Sequence, residues 1–166
     1  MDVKELSSEY DVRILREEDA DDIFALCSQN ELFYEFHPPF VTKESILEDM
    51  KALPLGKERK DKFYVGFLKD GQLAAVMDLI LDYPEEKTVY IGFFMVNRKF
   101  QGRGNGSSIV GECADCFRKL GYGKIRLAID RGNPQSEAFW TKNRFEKTGE
   151  EISNDFSAYL SMEKII

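Results

Sequence analysis

The sequence predicts a mixed α and β domain, and three observations carry that prediction. Two strand-like runs, residues 63–69 and 72–81, meet at Asp70-Gly71, a strong hairpin signal. A third run, residues 88–96, feeds a glycine-rich turn, Gln101-Gly102-Arg103-Gly104-Asn105-Gly106, which opens into an amphipathic helix. A strand over residues 125–129 follows that helix and is expected parallel to the strand before it. Hairpins joined to a strand–helix–strand unit make an α/β chain with a mixed sheet rather than a doubly wound one. At 166 residues, one domain over 1–166 is the default.

Val12-Arg13-Ile14-Leu15 reads as a first short strand. Glu17, Glu18 and Asp19 place acids at a helix start, where the dipole favours them. Ile23, Phe24, Leu26 and Cys27 form the inward side of that helix, and Asn30 is suited to end it. Residues 31–40, ELFYEFHPPF, combine four aromatics, two acids, the only histidine and two prolines. Pro38 and Pro39 break a helix here. Phe33, Tyr34 and His37 therefore have two readings: aromatics capping the core beside a loop histidine, or a wall facing a substrate. Thr42 caps a second helix with Ile46, Leu47, Met50 and Leu53 turned inward, ended by Pro54 and Gly56. The run 57–62, KERKDK, reads as a solvated connector.

Asp78 is the most informative acid, set in LAAVMDLIL with apolar neighbours on both sides. A carboxylate in a half-buried strand costs free energy unless it is paired or hydrogen-bonded. It is either a structural acceptor or a base whose pKa burial raises. Tyr90, on the strand that feeds the glycine turn, is expected on the same face as Phe94.

In the helix after the turn, Ile109, Val110, Cys113, Phe117 and Leu120 recur on one side, and Gly121 is placed to close it. Asn133 is a good N-cap and Pro134 a good first helical residue. Residues 145–150 and 156–164 read as two closing strands.

A net charge of −7 and a pI near 4.9 argue against a nucleic-acid partner and leave room for a cationic amine. Cys27, Cys113 and Cys116 complete no ligand set, so no metal is expected and the Cys-x-x-Cys spacing reads as small helix residues. Free thiols suit a reducing cytoplasm. The polar, acidic N-terminus lacks a signal-peptide pattern, and no apolar run approaches the roughly 20 residues that span a bilayer, so no membrane partner is expected.

The glycine turn carries the chemistry. Glycines at a helix mouth allow positive φ and clear side chains from N–H groups that have no partner within the helix. Such a place receives a phosphate. Gly102-x-Gly104-x-x-Ser107 lacks the third glycine of a dinucleotide fingerprint, and no Gly-Lys-Ser/Thr follows to make a P-loop. Gln-x-x-Gly-x-Gly after a strand ending in Val96 resembles motif A of the GNAT N-acetyltransferases. The segment from Asn133 through Ala138, Phe139 and Lys142 to Phe145 resembles their motif B.

The resemblance covers nearly the whole chain and implies a β-α-α-β-β-β-α-β-α-β-β fold with a splayed central parallel strand pair. It implies acetyl-CoA as acetyl donor, with pantetheine in the gap beside Met95 and Val96. Backbone N–H groups of Gln101, Gly102, Arg103, Gly104, Asn105 and Gly106, with the Ser107 hydroxyl, would hold the pyrophosphate. Asn133 would face the pantetheine, and Phe139 and Trp140 would line the cofactor. Lys142 would approach a nucleotide phosphate or remain solvated surface.

The expected activity is transfer to a primary amine of a small molecule by direct attack on the thioester, with Asp78 and Tyr90 as candidate catalytic groups. The alternative is an acetyl-CoA sensor with little transfer, because Trp140 stands where many relatives carry an acidic tyrosine, and an indole offers no such proton. Arg144 replaces a frequent glycine, which points to Asn143 as the residue that takes the left-handed turn. The resemblance also admits a homodimer.

Overall fold

A computed structural model describes residues 1–166. Its centre is a seven-stranded sheet in the order β1-β2-β3-β4-β5-β7-β6. The strands are β1 (Asp11–Ile14), β2 (Lys62–Lys69), β3 (Gln72–Leu81), β4 (Thr88–Val96), β5 (Lys124–Asp130), β6 (Glu146–Ser153) and β7 (Ala158–Ile165). Every pairing is antiparallel except β4 with β5. The Asp70-Gly71 hairpin forms as expected, with both residues at positive φ (51° and 75°).

Five helices flank the sheet: α1 (Ala20–Cys27), α2 (Glu31–Phe36), α3 (Lys43–Lys51), α4 (Asn105–Lys119) and α5 (Pro134–Lys142). The alternation of each strand divides the core in two. On one face Val65, Phe67, Met77, Leu79, Ile91, Ile125 and Leu127 pack with Ile109, Val110, Cys113 and Phe117 of α4 and Trp140 of α5. On the other, Tyr64, Val76 and Met95 pack with Ile23, Leu26 and Cys27 of α1 and Ile46 and Met50 of α3. All three cysteines are buried free thiols.

Four local expectations change. Residues 31–36 form a helix in spite of the prolines, because Pro38 and Pro39 lie beyond its last residue and cost it no internal hydrogen bond. Lys62 is not part of a solvated connector: it opens β2 and is buried. Tyr90 and Phe94 do not share a face. Asp78 pairs with Phe93 but Leu79 pairs with Ile91, so Gly92 is an extra residue in a β-bulge that reverses the alternation. Tyr90 and Phe93 consequently face the α1–α3 side with Asp78, whereas Phe94 packs towards Trp140.

The fourth change is at the end of α5. Arg144, not Asn143, takes the left-handed turn, with φ at +66° against −87° for Asn143. That conformation lets the Arg144 N–H donate to Thr141 O (2.9 Å) and the Phe145 N–H to Trp140 O (3.0 Å). These bonds offset a left-handed strain of about 1–2 kcal/mol.

Candidate active site

β4 and β5 pair only from Thr88 with Lys124 to Ile91 with Leu127. Beyond that fork, residues 92–96 and 128–130 diverge, and a cavity of about 820 Å³ opens between them. The Asn97 N–H donates to Ala74 O at 2.8 Å in the ladder with β3. Ladder bonds alternate along an antiparallel strand, so the Phe94 and Val96 N–H groups point the other way, into the gap.

At the far end of β4 the glycine turn meets α4. Gly102 and Gly104 both have positive φ (74° and 83°), and Gly104 is the N-cap. The Ser108 N–H is the first in this helix to reach a main-chain acceptor, Gly104 O at 2.9 Å, leaving those of residues 102–107 without one. Gln101 fastens the turn, its Nε2 donating to Val96 O (2.7 Å) and to Asn30 Oδ1 (2.6 Å). A Cβ on Gly106 would come within 3.1 Å of the Phe139 ring and 3.3 Å of Val96, so β4, α4 and α5 converge closely here.

The expected cofactor residues divide into two sets. Met95, Val96, Gln101, Gly102, Gly104, Gly106, Ser107, Phe139, Trp140 and Lys142 lie on the cavity wall. Arg103, Asn105 and Asn133 do not. The Asn105 side chain is spent on structure, donating to Phe100 O (2.7 Å) and accepting from Tyr10 Oη (2.9 Å). Asn133 is buried and caps α5, its Oδ1 accepting from the Gln135 and Ser136 N–H groups, while its Nδ2 has no partner. The Trp140 ring packs edge-on against Phe139 (5.0 Å) and Phe145 (4.9 Å).

The α1–α3 side of the gap is a second chamber of the same cavity. α2 places Phe33 and His37 four residues apart on one side, towards the cavity. Tyr34, one helical step round, is instead buried in the smaller core and lines nothing. Asp78 and Tyr90 reach this chamber from the sheet, with Tyr83 edge-on to Tyr90 at 5.3 Å.

Asp78 is not free. Lys62 Nζ holds its Oδ2 at 2.8 Å, both side chains nearly inaccessible, and its Oδ1 has no partner. Burial pushes the Asp78 carboxyl up, and the Lys62 ammonium offsets part of that. Burial likewise holds the Tyr90 phenol above its usual range.

The sequence reading missed Asp130, the last residue of β5. It is buried, and both of its carboxylate oxygens lie 3.1 Å from His37 Nδ1. That bond raises the His37 pKa, against the opposing effect of burial. The alternation Arg126, Ala128, Asp130 already put an acid on the face opposite the Ile125–Leu127–Ile129 core, a signal lost by ending the strand one residue early. Asp49 of α3 also lines the chamber; burial pushes its carboxyl up, with Lys62 and His37 pulling it down.

The family model of the GNAT acetyltransferases matches residues 18–145. The chain belongs to the GNAT acetyltransferase family. GNAT proteins use acetyl-CoA for N-acetylation, and the free N–H groups of the turn and the gap beside β4 suit a diphosphate on an extended arm. No curated protein sequence matches the chain.

Solved structures share the fold at low identity. An acetyltransferase from Thermus thermophilus is 16% identical, with a TM-score of 0.73 over 94% of this chain and 96% of that one. PaiA N-acetyltransferase from Thermoplasma acidophilum, solved with coenzyme A, is 19% identical, with a TM-score of 0.66 over 93% and 98%. A spermidine N-acetyltransferase from Vibrio cholerae is 17% identical, with a TM-score of 0.66 over 96% and 95%. This GNAT chain has no helix long and apolar enough to cross a membrane.

Proposed function

We propose that the chain transfers the acetyl group of acetyl-CoA to a primary amine of a small cationic molecule, by direct attack on the thioester. One observation carries this reading: a single cavity runs from the free N–H groups of the glycine turn, past the β4–β5 fork, to a chamber lined by Asp49, Asp78 and Asp130. The turn and Ser107 take the diphosphate. Phe139 and Trp140 flank the arm, the β4 N–H groups bond it, and Lys142 meets the nucleotide end. With the thioester at the fork, the Val96 or Phe94 N–H donates to the oxyanion of the tetrahedral adduct.

Tyr90 is the proposed source of the proton that the departing thiolate takes up; its raised pKa keeps that proton in place at neutral pH. Asp78 is poorly suited to be the base. A proton on it would leave the Lys62 ammonium uncompensated in a dry site, at a cost of several kcal/mol. The pair instead fixes the chamber floor under Gly92.

The charge of the chamber supports a cationic acceptor: its carboxylates outnumber its buried lysine, and Asp49 forms no ion pair within the chain. Thiol release from acetyl-CoA over a panel of diamines, amino acids, aminoglycosides and peptide N-termini tests the reading. Turnover is expected with small cationic amines. Thermal stabilisation by acetyl-CoA with turnover on none of them would favour a sensor, the reading to which Trp140 in the tyrosine position lends weight.

A further inference from the structure

We propose that His37, held by Asp130, is the base that accepts the proton of the acceptor's ammonium group, through its Nε2 atom. The proposal rests on the acetyl-transfer reading above and adds the one function that reading leaves unfilled.

The geometry assigns the atoms. Both Asp130 oxygens stand 3.1 Å from Nδ1, so Nδ1 carries the hydrogen and Nε2 keeps its lone pair. Asp130 is 8% exposed at its side chain, a fixed acceptor inside the wall, whereas 42% of the His37 side chain stays open. The ring is held between Phe33 (5.2 Å) and Tyr159 (6.1 Å). Phe33 in turn stands edge-on to Phe93 at 6.0 Å, beside the fork in β4. Phe36 lies against Gly132, in the turn after β5, which fastens α2 where His37 can meet Asp130. An imidazole oriented by a buried carboxylate and open on its other edge is built to take and give a proton.

Three titratable groups face it from the packed elements: Asp130 of β5, Asp49 of α3 and Tyr159 of β7. The two carboxylates favour the imidazolium. Its affinity for a proton is thereby lifted from the ordinary histidine value towards the range in which an amine must be unmasked. Asp78 has no comparable freedom, since Lys62 occupies its Oδ2.

An N–H bond of the ammonium breaks, the proton passes to Nε2 through one bridging water, and the nitrogen lone pair attacks the thioester carbon. The C–S bond then breaks, the thiolate takes the Tyr90 proton, and the second proton lost by nitrogen restores the phenol. His37 returns its proton to solvent.

His37 is the only histidine in the chain, so its ring can be titrated by NMR without assignment. The test combines that titration with pH profiles of kcat, using the amine that releases thiol fastest. His37→Asn keeps a donor towards Asp130 and removes the base; Asp130→Asn keeps the base and removes its carboxylate. In the wild type, the acid limb of kcat is expected at the NMR pKa, with Nδ1 protonated in the neutral ring. His37→Asn should lower kcat about 10²-fold and abolish that limb, with coenzyme affinity little changed. Asp130→Asn should move both the NMR pKa and the limb to lower pH.

The proposal is overturned if His37→Asn retains kcat and the limb, if it raises KM alone, or if Asp130→Asn leaves the histidine pKa in place. Absence of turnover by the wild type on every amine is a different result: it removes the acetyl-transfer reading, and this assignment with it.

Discussion

The Asp78 carboxylate occupies the place that a side chain on Gly92 would need. Its Oδ2 stands 2.7 Å from where a Cβ there would be, and Lys62 Nζ holds the same oxygen at 2.8 Å. The bulge at Gly92, the buried pair and the chamber floor are thus one arrangement. Gly92→Ala must displace a pinned carboxylate. It is expected to cost about 1–3 kcal/mol in denaturant unfolding and to lower kcat. A change within about 0.5 kcal/mol would show that the bulge relaxes freely.

The Lys62–Asp78 pair should reveal itself by non-additivity. Lys62→Met and Asp78→Asn each leave one charged or polar group buried without its partner, at about 3–5 kcal/mol where a charge is stranded. The double variant should lose less than the sum of the two by about 0.5–3 kcal/mol in urea unfolding. Strict additivity would mean that the two side chains do not interact in solution.

These two relationships lay largely beyond the sequence. The glycine turn, the Asp70-Gly71 hairpin, the Thr42 cap and the Asn133-Pro134 start were legible because each is decided by a few adjacent residues and their backbone preferences. Lys62, Asp130 and the Gly92 bulge were not. Lys62 sits in a charged run, and only its position opposite Ile80, two residues from Asp78, makes it an inward residue. The bulge is invisible to a period-two reading, so Tyr90 and Phe94 were assigned one face that the extra residue denies them. Phe33, Tyr34 and His37 were given two readings, core caps beside a loop histidine or a substrate wall; Phe33 and His37 line the cavity and Tyr34 is buried, a division the sequence could not show because a loop has no inward side and a helix does.

Stability should carry the signature of the His37–Asp130 bond. The folded-state pKa of His37 is raised above its ordinary 6.5. The bond's contribution is therefore complete below that value and is lost as pH rises through the folded pKa. Unfolding free energy measured from pH 5.5 to 8.5 should fall more steeply in the wild type than in Asp130→Asn. Parallel curves would remove the bond from the energetics of folding.

Gly106 is the crowded glycine of the turn. Gly106→Ala must push the Phe139 ring or Val96 aside, since its Cβ would meet them at 3.1 and 3.3 Å. Coenzyme A should bind about tenfold more weakly, a difference of about 1.4 kcal/mol, by calorimetry. Unaltered affinity would place the coenzyme away from this junction.

Tyr90→Phe removes a phenol and keeps the ring against Tyr83. If the phenol supplies the thiolate's proton, kcat should fall by about 10²-fold with coenzyme affinity unchanged. Retention of kcat would return that duty to solvent or to Tyr83 or Tyr159, which share the cavity.

The seam between β4 and β5 is only four residue pairs long. Everything on the β5–β7–β6 side is stitched to the rest of the sheet through that short zipper and the helices that bridge it. A coenzyme arm that bonds the inward-pointing amides of β4 stands in for the missing rungs. Loading the donor should accordingly slow hydrogen exchange along residues 92–96 and 124–130 together, so that the enzyme grows mechanically whole only when it is charged for reaction.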